Sequence, residues 1–269
     1  SEVNLTPKFS FRPGIRVMFS SQFKTEQALS FSVKYSFTED FDARFILGTS
    51  PRIPSYDELY SYFVDVNHNV QGNSELNTEK GTSAFIHLRK KHNFSKFKSE
   101  SKLSAWLIDV SDRIELIIVN DAPLAYKFMN IDQYKSRGIS YNNAFRYENF
   151  NANVGLTYAG MAKEMNSQET DNGFLYAMQF NLNGSYTFPK TKTTISAFYK
   201  YNGEMYQYVQ QSDLNQNVTF IKGKRDAFSW LDASVKQSFL TNRLEATLGV
   251  RNLLNVVNVK SDIETTGAH

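Results

Sequence analysis

The segment Tyr176-Ala177-Met178-Gln179-Phe180-Asn181-Leu182-Asn183-Gly184-Ser185-Tyr186-Thr187-Phe188 decides the fold. Its even positions carry Tyr, Met, Phe, Leu, Gly, Tyr and Phe, and its odd positions Ala, Gln, Asn, Asn, Ser and Thr. Side chains of an extended strand point alternately to opposite faces, so the segment predicts a strand with apolar surroundings on one side and water on the other. A helix would scatter the same residues around its circumference. The pattern recurs in Leu29, Phe31, Val33, Tyr35, Phe37, in Phe41, Ala43, Phe45, Leu47 and in Val154, Leu156, Tyr158. It returns in Ile195, Ala197, Tyr199, Tyr201, in Leu231, Ala233, Val235 and in Leu244, Ala246, Leu248, Val250. Weaker versions cover roughly 10–20, 78–92, 100–117 and 126–147, which makes 11 strands.

The connections alternate in length. Thr38-Glu39-Asp40, Glu148-Asn149-Phe150, Pro189-Lys190-Thr191 and Thr241-Asn242 read as tight polar turns, with a slightly longer one near 93–99. Longer links fall at about 20–27, 49–77, 118–125, 164–173, 210–216 and 253–269. Short turns at one rim and long loops at the other are the habit of outer-membrane barrels. Tyr and Phe gather toward strand ends, as at Tyr35/Phe37, Tyr158 and Tyr186/Phe188, where an amphipathic ring suits the membrane boundary. The polar face stays small and hydrophilic instead of offering a second packing surface, which favours an antiparallel transmembrane β-barrel over a soluble all-β binding module.

Composition agrees with that class. The chain has 269 residues, 41% hydrophobic and 14% aromatic, with a mean hydropathy of −0.44 and no apolar run long enough for a helical span. Thirty Lys plus Arg against 27 Asp plus Glu give +3 without a basic block, so a nucleic-acid partner has no support. There is no Cys, hence no disulfide framework or thiolate metal site. The opening SEVNLTPKFS lacks the apolar core of a signal peptide, as expected if one was removed or if this is an interior piece. An antiparallel sheet of 11 strands cannot close without two parallel neighbours at the seam, and unpaired amides cannot face lipid. The segments near 10–20 and 243–253 are therefore expected to pair with strands outside this sequence.

The longest link opens Thr49-Ser50-Pro51-Arg52-Ile53-Pro54-Ser55-Tyr56-Asp57-Glu58-Leu59-Tyr60 and closes Gly72-Asn73-Ser74-Glu75-Leu76-Asn77-Thr78-Glu79. Ser55 followed by Glu58 is a capping box and predicts a short helix over about 55–63. These residues resemble the TonB-dependent outer-membrane receptors, whose barrels carry an FRAP-like box leading into an E-L-Y helix and then a G-N-P-x-L-x-x-E box. Here the boxes read P-R-I-P and G-N-S-E-L-N-T-E. Phe11-Arg12-Pro13-Gly14-Ile15-Arg16, Arg137-Gly138-Ile139 and Gly249-Val250-Arg251-Asn252-Leu253-Leu254-Asn255 look like further elements of that family, in the same order. The resemblance implies the C-terminal portion of a 22-stranded plugged barrel, with the plug, the early strands and the last strand absent. It also implies import of a scarce bulky nutrient, an iron chelate (siderophore or haem) or cobalamin, energised by the TonB complex through the missing N-terminal region, in the bacterial outer membrane. A passive porin or surface-adhesive barrel would share the strands but lack the plug.

Candidate ligand contacts lie in the same link. Tyr56, Tyr60, Tyr62 and Phe63 could offer rings to aryl or porphyrin groups, and Arg52 could meet carboxylate or catecholate oxygens. His68 sits between the two boxes, where haem receptors of the family place an axial histidine, so the resemblance makes it a candidate haem-iron ligand. The bland alternative is a solvated histidine and rings that pack the loop over the barrel mouth. His87 and His92 are expected at the lumen or the periplasmic rim, and Tyr206, Tyr208 and Gln210 at another outer loop. No resident cofactor is expected. No G-x-S-x-G elbow, H-E-x-x-H motif or Gly-rich phosphate loop occurs, so catalysis finds no footing.

Overall fold

The computed structural model describes residues 3–65, 69–121, 124–164, 173–212, 218–240 and 243–261. In chain order its elements are β1 (Val3–Thr6), β2 (Phe9–Met18), β3 (Glu26–Thr38), β4 (Phe41–Arg52), α1 (Tyr56–Tyr60), β5 (Tyr62–Val64), β6 (Asn69–Gln71) and β7 (Glu79–Phe94). There follow β8 (Phe97–Asp121), β9 (Leu124–Tyr147), β10 (Phe150–Glu164), β11 (Leu175–Phe188), β12 (Thr193–Asn202), β13 (Met205–Ser212), β14 (Val218–Arg225), β15 (Phe228–Phe239) and β16 (Leu244–Val250). The wall is one antiparallel sheet in the order β1-β2-β3-β4-β7-β8-β9-β10-β11-β12-β15-β16. Its eleven long strands are the eleven that the alternation predicts, and β1 adds a four-residue stub at one edge. The sheet does not close on itself: among the described residues β16 pairs only with β15.

The register aligns the greasy face across the whole wall. Val33 lies opposite Phe45, which lies opposite Ile86, then Ala105, Ile139, Tyr158 and Met178 in successive strands. Further along, Leu182 faces Tyr199, Tyr199 faces Leu231, and Val235 faces Leu248. A slip of one residue in any strand would break this row, so the alternation itself specifies the pairing. No second layer covers it. Leu107 is 60% exposed, Met178 42% and Leu248 78%. Of the six buried hydrophobic side chains among the described residues, only Ala152 lies on a strand away from the long-loop rim; Leu59 and Leu76, with Ile114, Ala125 and Ile131 of the β8 and β9 extensions, lie at that rim. A soluble sandwich would bury these rows between two sheets. The exposed rows are the lipid-facing surface of a transmembrane barrel.

The two rims differ as expected. Between β3 and β4, β7 and β8, and β9 and β10 only two residues intervene. Ser95, Glu148, Lys192 and Leu240, all at this rim, hold positive φ, the conformation that tight hairpins require. At the other rim the predicted link at 118–125 is a correction: β8 and β9 run on to Asp121 and from Leu124, and the hairpin projects beyond the apolar band. The links at 49–77 and beyond Asn202 also contain strands, β5 with β6 and β13 with β14. β5 and β6 have three residues each, too few for a two-residue hydrophobic period to mark them.

Candidate ligand-binding site

The long-loop rim is built around one charged knot. Arg52, at the end of β4, donates through Nη1 to both oxygens of Glu58 at 2.9 Å and through Nη2 to Glu79 Oε1 at 2.5 Å. Glu79 Oε1 also accepts the backbone N–H of Ile114 at 2.8 Å, tying β7 to the β8 extension. Glu58 closes the capping box: its Oε2 accepts the Ser55 N–H at 2.7 Å, and Ser55 Oγ accepts the Glu58 N–H at 3.3 Å. One guanidinium therefore fixes the start of α1, the end of β4 and the start of β7.

The second box serves the same assembly. Gly72 passes so close to α1 that a Cβ there would lie 2.7 Å from the Leu59 carbonyl, so only glycine fits. Asn73 Nδ2 donates to the Phe128 carbonyl at 2.9 Å, and its N–H donates to the Glu58 carbonyl at 2.8 Å. Leu76 joins Leu59 and Ile114 in a buried cluster against which Phe23 and Phe128 pack. Asn130 completes the clasp, accepting the Asn77 N–H at 2.8 Å and donating to the Asp112 carbonyl at 2.5 Å. Asp112 stands at positive φ where β8 leaves the wall. Four separate stretches, around residues 23, 52–59, 72–79 and 112–130, thus share one core.

On this scaffold the rings are displayed outward. Tyr56 and Tyr60 sit on α1 with ring centroids 5.2 Å apart; Tyr56 is 76% exposed, and Tyr60 Oη accepts from Gln22 Nε2 at 3.0 Å. The helix ends at Tyr60 and not at 63 as predicted, because Ser61 is extended (φ −56°, ψ 135°) and Tyr62-Phe63-Val64 pairs with β6. Tyr62 and Phe63 are exposed on β5. β6 in turn pairs in parallel with β9 through Val70 and Gln71. His68 lies outside the described residues. Tyr206 is on β13, where its ring lies 4.6 Å from Lys222 Nζ. Tyr208 and Gln210 fall on the same strand, their side chains outside the described set. His87 is in the wall at 2.8 Å from Ser104 Oγ, and His92 is near the short-turn end of β7.

Phe23, Ile114 and Phe128 escape sequence reasoning, since they come from segments far apart in the chain. Glu79 and Asn73 stand inside a quoted box, but nothing in the box says which partners they meet.

Burial pushes the Glu58 carboxyl up, yet hydrogen bonds from Arg52 and Ser55 outweigh it and hold the group below its ordinary range. A carboxyl with a lowered folded value stabilises above its unfolded value, about 4.3, and loses that contribution as pH falls through the folded value. Nicking of residues 53–64, expressed at each pH relative to an unstructured reference peptide cut by the same protease, is therefore expected to stay flat above about pH 5 and to rise below about 4. A rate independent of pH down to 3 would remove Glu58 from the lock.

The family model for the TonB dependent receptor-like β-barrel matches residues 1–253. The chain belongs to the TonB-dependent receptor family. No curated protein matches by sequence. Among solved structures, the siderophore receptor PirA from Acinetobacter baumannii is similar at TM-score 0.70 and 12% identity, over 95% of this chain and 40% of that one. The FrpB iron transporter from Neisseria meningitidis is similar at TM-score 0.65 and 16% identity, over 93% and 39%. The ferripyoverdine receptor of Pseudomonas aeruginosa is similar at TM-score 0.62 and 15% identity, over 94% and 33%. The chain thus spans about two fifths of the length of the PirA and FrpB structures. As a TonB-dependent receptor barrel, it lies in the outer membrane of a Gram-negative bacterium, with the short-turn rim periplasmic and the knotted rim extracellular.

Proposed function

We propose that this chain forms the C-terminal part of the barrel of an active transporter, whose remaining strands and plug belong to the same polypeptide, and which takes up an iron chelate with energy supplied through TonB. The observation that carries the proposal is the pair of exposed rings Tyr56 and Tyr60, held on a helix whose start is locked by Arg52 at the extracellular rim. Rings mounted on a rigid support bind an aryl-bearing ligand without an ordering cost, whereas the same rings on a free loop would lose affinity to it. Tyr62 and Phe63 extend the same display. Arg52, joined through Nη1 and Nη2 to Glu58 and Glu79, also shapes the loop that carries the rings. A siderophore with aromatic donor groups suits this surface best; haem, with His68 as axial ligand, and cobalamin are the competing cargoes.

The test is growth of the parent strain with and without the gene on an aryl siderophore, haem or cobalamin as the limiting source. Growth lost only on the siderophore supports the proposal. Growth lost only on haem or cobalamin replaces the cargo, and growth unaffected on all three removes the transport reading. In the full receptor, the double substitution Tyr56→Ala with Tyr60→Ala is expected to weaken siderophore binding about 30-fold, at roughly 1 kcal/mol per ring. Unchanged binding in a titration would take both rings out of the site.

A further inference from the structure

The apolar band is narrower on some strands than on others. Every outward position from Tyr176 to Phe188 on β11, and from Phe150 to Ala162 on β10, carries an apolar or aromatic side chain or a glycine. Each run covers about 12 residue steps, or about 29 Å of height in a strand tilted by about 45°. On β7 and β8 only the rows Ala84–Leu107, Ile86–Ala105 and Leu88–Leu103 are apolar. Thr82 opposite Asp109 bounds them above and Lys90 opposite Ser101 bounds them below. Those bounds are about 19 Å apart in height, short of the ~25 Å that such a band ordinarily spans.

The lower bound is a polar island that continues onto β9 at Asn143. Asn143 Nδ2 donates to Ser101 Oγ at 2.6 Å and to Ser99 Oγ at 3.0 Å, and Ser101 Oγ shares a hydrogen bond of 3.3 Å with Tyr141 Oη. These bonds put the four side chains on one face. The register makes that face the outward one, since Leu103 lies opposite Tyr141 and Phe97 opposite Tyr147. Lys90 and His92 are exposed beside them on β7. The island does not lie at the rim: Lys90, Ser101 and Asn143 each stand four residues in from the ring row Phe94-Phe97-Tyr147, about 10 Å higher. Below Asp109 the outward face of β7, β8 and β9 carries no carboxylate among the described residues.

We infer that phospholipid of the periplasmic leaflet covers this face with its headgroups drawn up to Lys90, Ser101 and Asn143, so that the bilayer is thinned beside β7, β8 and β9. Hydrocarbon cannot solvate the island, and a wall with a short apolar stretch is accommodated by thinning of the lipid around it. Two observations choose lipid over a second protein as the occupant. The hydroxyls and the amide of the island already hydrogen-bond one another, so they call for no partner side chain. Lys90 brings an exposed cation to a face without a carboxylate, which is the complement of a headgroup phosphate.

The full receptor, refolded into phosphatidylcholine vesicles, should carry one fluorescent cysteine label at position 101 or 103 on β8, or at 154 or 156 on β10, which match them in distance from the turn. Quenching by lipid with a nitroxide on the headgroup is compared with quenching by lipid with a nitroxide midway along the acyl chain. At 101 the headgroup quencher is expected to be about threefold the more effective, and at 154 the mid-chain quencher. At 103, where the label leaves the island intact, the headgroup share is expected to be about twice that at 156. Lys90→Leu is expected to remove about half of that excess, and an excess untouched by it overturns the seat of the phosphate on Lys90. Stronger mid-chain quenching at 101 overturns the inference, because the headgroups then stay at the ring row. Quenching by neither lipid at 101 and 103 overturns it in favour of a protein cover. Should Ser101→Cys not fold, as read by heat-modifiable mobility, positions 103 and 156 decide alone, and equal headgroup shares there overturn the inference.

Discussion

Replacing Arg52 by alanine is expected to loosen the whole extracellular rim while leaving the barrel intact. The substitution strands two carboxylates, Glu58 and Glu79, whose side chains are 16% and 13% exposed, with no cation between them. Leaving a buried charged acceptor unpaired costs about 1–3 kcal/mol per group, and the guanidinium's own 42% exposure argues for the low end. A net loss of about 2 kcal/mol would raise the open population of residues 53–79 about 30-fold. Limited proteolysis of the folded receptor should show that acceleration, with the temperature of barrel unfolding unchanged. Arg52→Lys should recover only part of it, because a single ammonium cannot fork across Glu58 and still reach Glu79. Siderophore binding should fall with Arg52→Ala as the support of Tyr56 and Tyr60 loosens. A variant with wild-type protease resistance would show that the buried cluster of Leu59, Leu76 and Ile114 holds the rim without the ion pairs.

A larger effect is expected from a charge placed in the outward row. Leu156 lies near the middle of β10, opposite Tyr141 on one side and Phe180 on the other, and its side chain is exposed on the lipid face. Arginine at such a midplane position costs about 2–4 kcal/mol in a transmembrane barrel. The next residue, Thr157, lies opposite Ser140 and Gln179 on the other face. Arginine there is expected to cost less than about 1 kcal/mol, since the lumen is wet. Denaturant titration of the full receptor refolded into vesicles separates the two. Equal penalties at positions 156 and 157 would mean that the wall does not divide lipid from water.

The wall was legible because a barrel strand has little else to satisfy. One face meets acyl chains, the other meets water, and a two-residue period follows directly, as in Met178, Phe180 and Leu182 against Gln179, Asn181 and Asn183. Turn positions were legible for a related reason, since Glu148-Asn149 and Pro189-Lys190 interrupt that period with residues that favour tight hairpins. The rim was not. Its structure depends on contacts such as Arg52 with Glu79 and Asn73 with Phe128, separated by 27 and 55 positions. Sequence chemistry offered Arg52 as a ligand contact because an arginine beside tyrosines suits an anionic chelate. In the fold its Nη1 and Nη2 meet Glu58 and Glu79, contacts that no local pattern announces. The capping box of Ser55 and Glu58 is a local signal and forms in the fold; the helix's early end at Tyr60 follows from strand pairing between Tyr62 and Gln71, which no local signal announces.

The division of the wall into a lipid side and a water side can be measured residue by residue on β11. The chain has no native cysteine, so single cysteines at positions 178 to 183 of the full receptor can each carry a spin label, with collision rates measured for oxygen, which concentrates in hydrocarbon, and for a water-soluble nickel chelate. Labels at 178, 180 and 182 should favour oxygen and those at 179, 181 and 183 the nickel chelate, giving a two-residue oscillation along the strand. Collision rates without that oscillation, or with oxygen excluded from 178, 180 and 182, would contradict the membrane-spanning wall on which the family's transport chemistry depends.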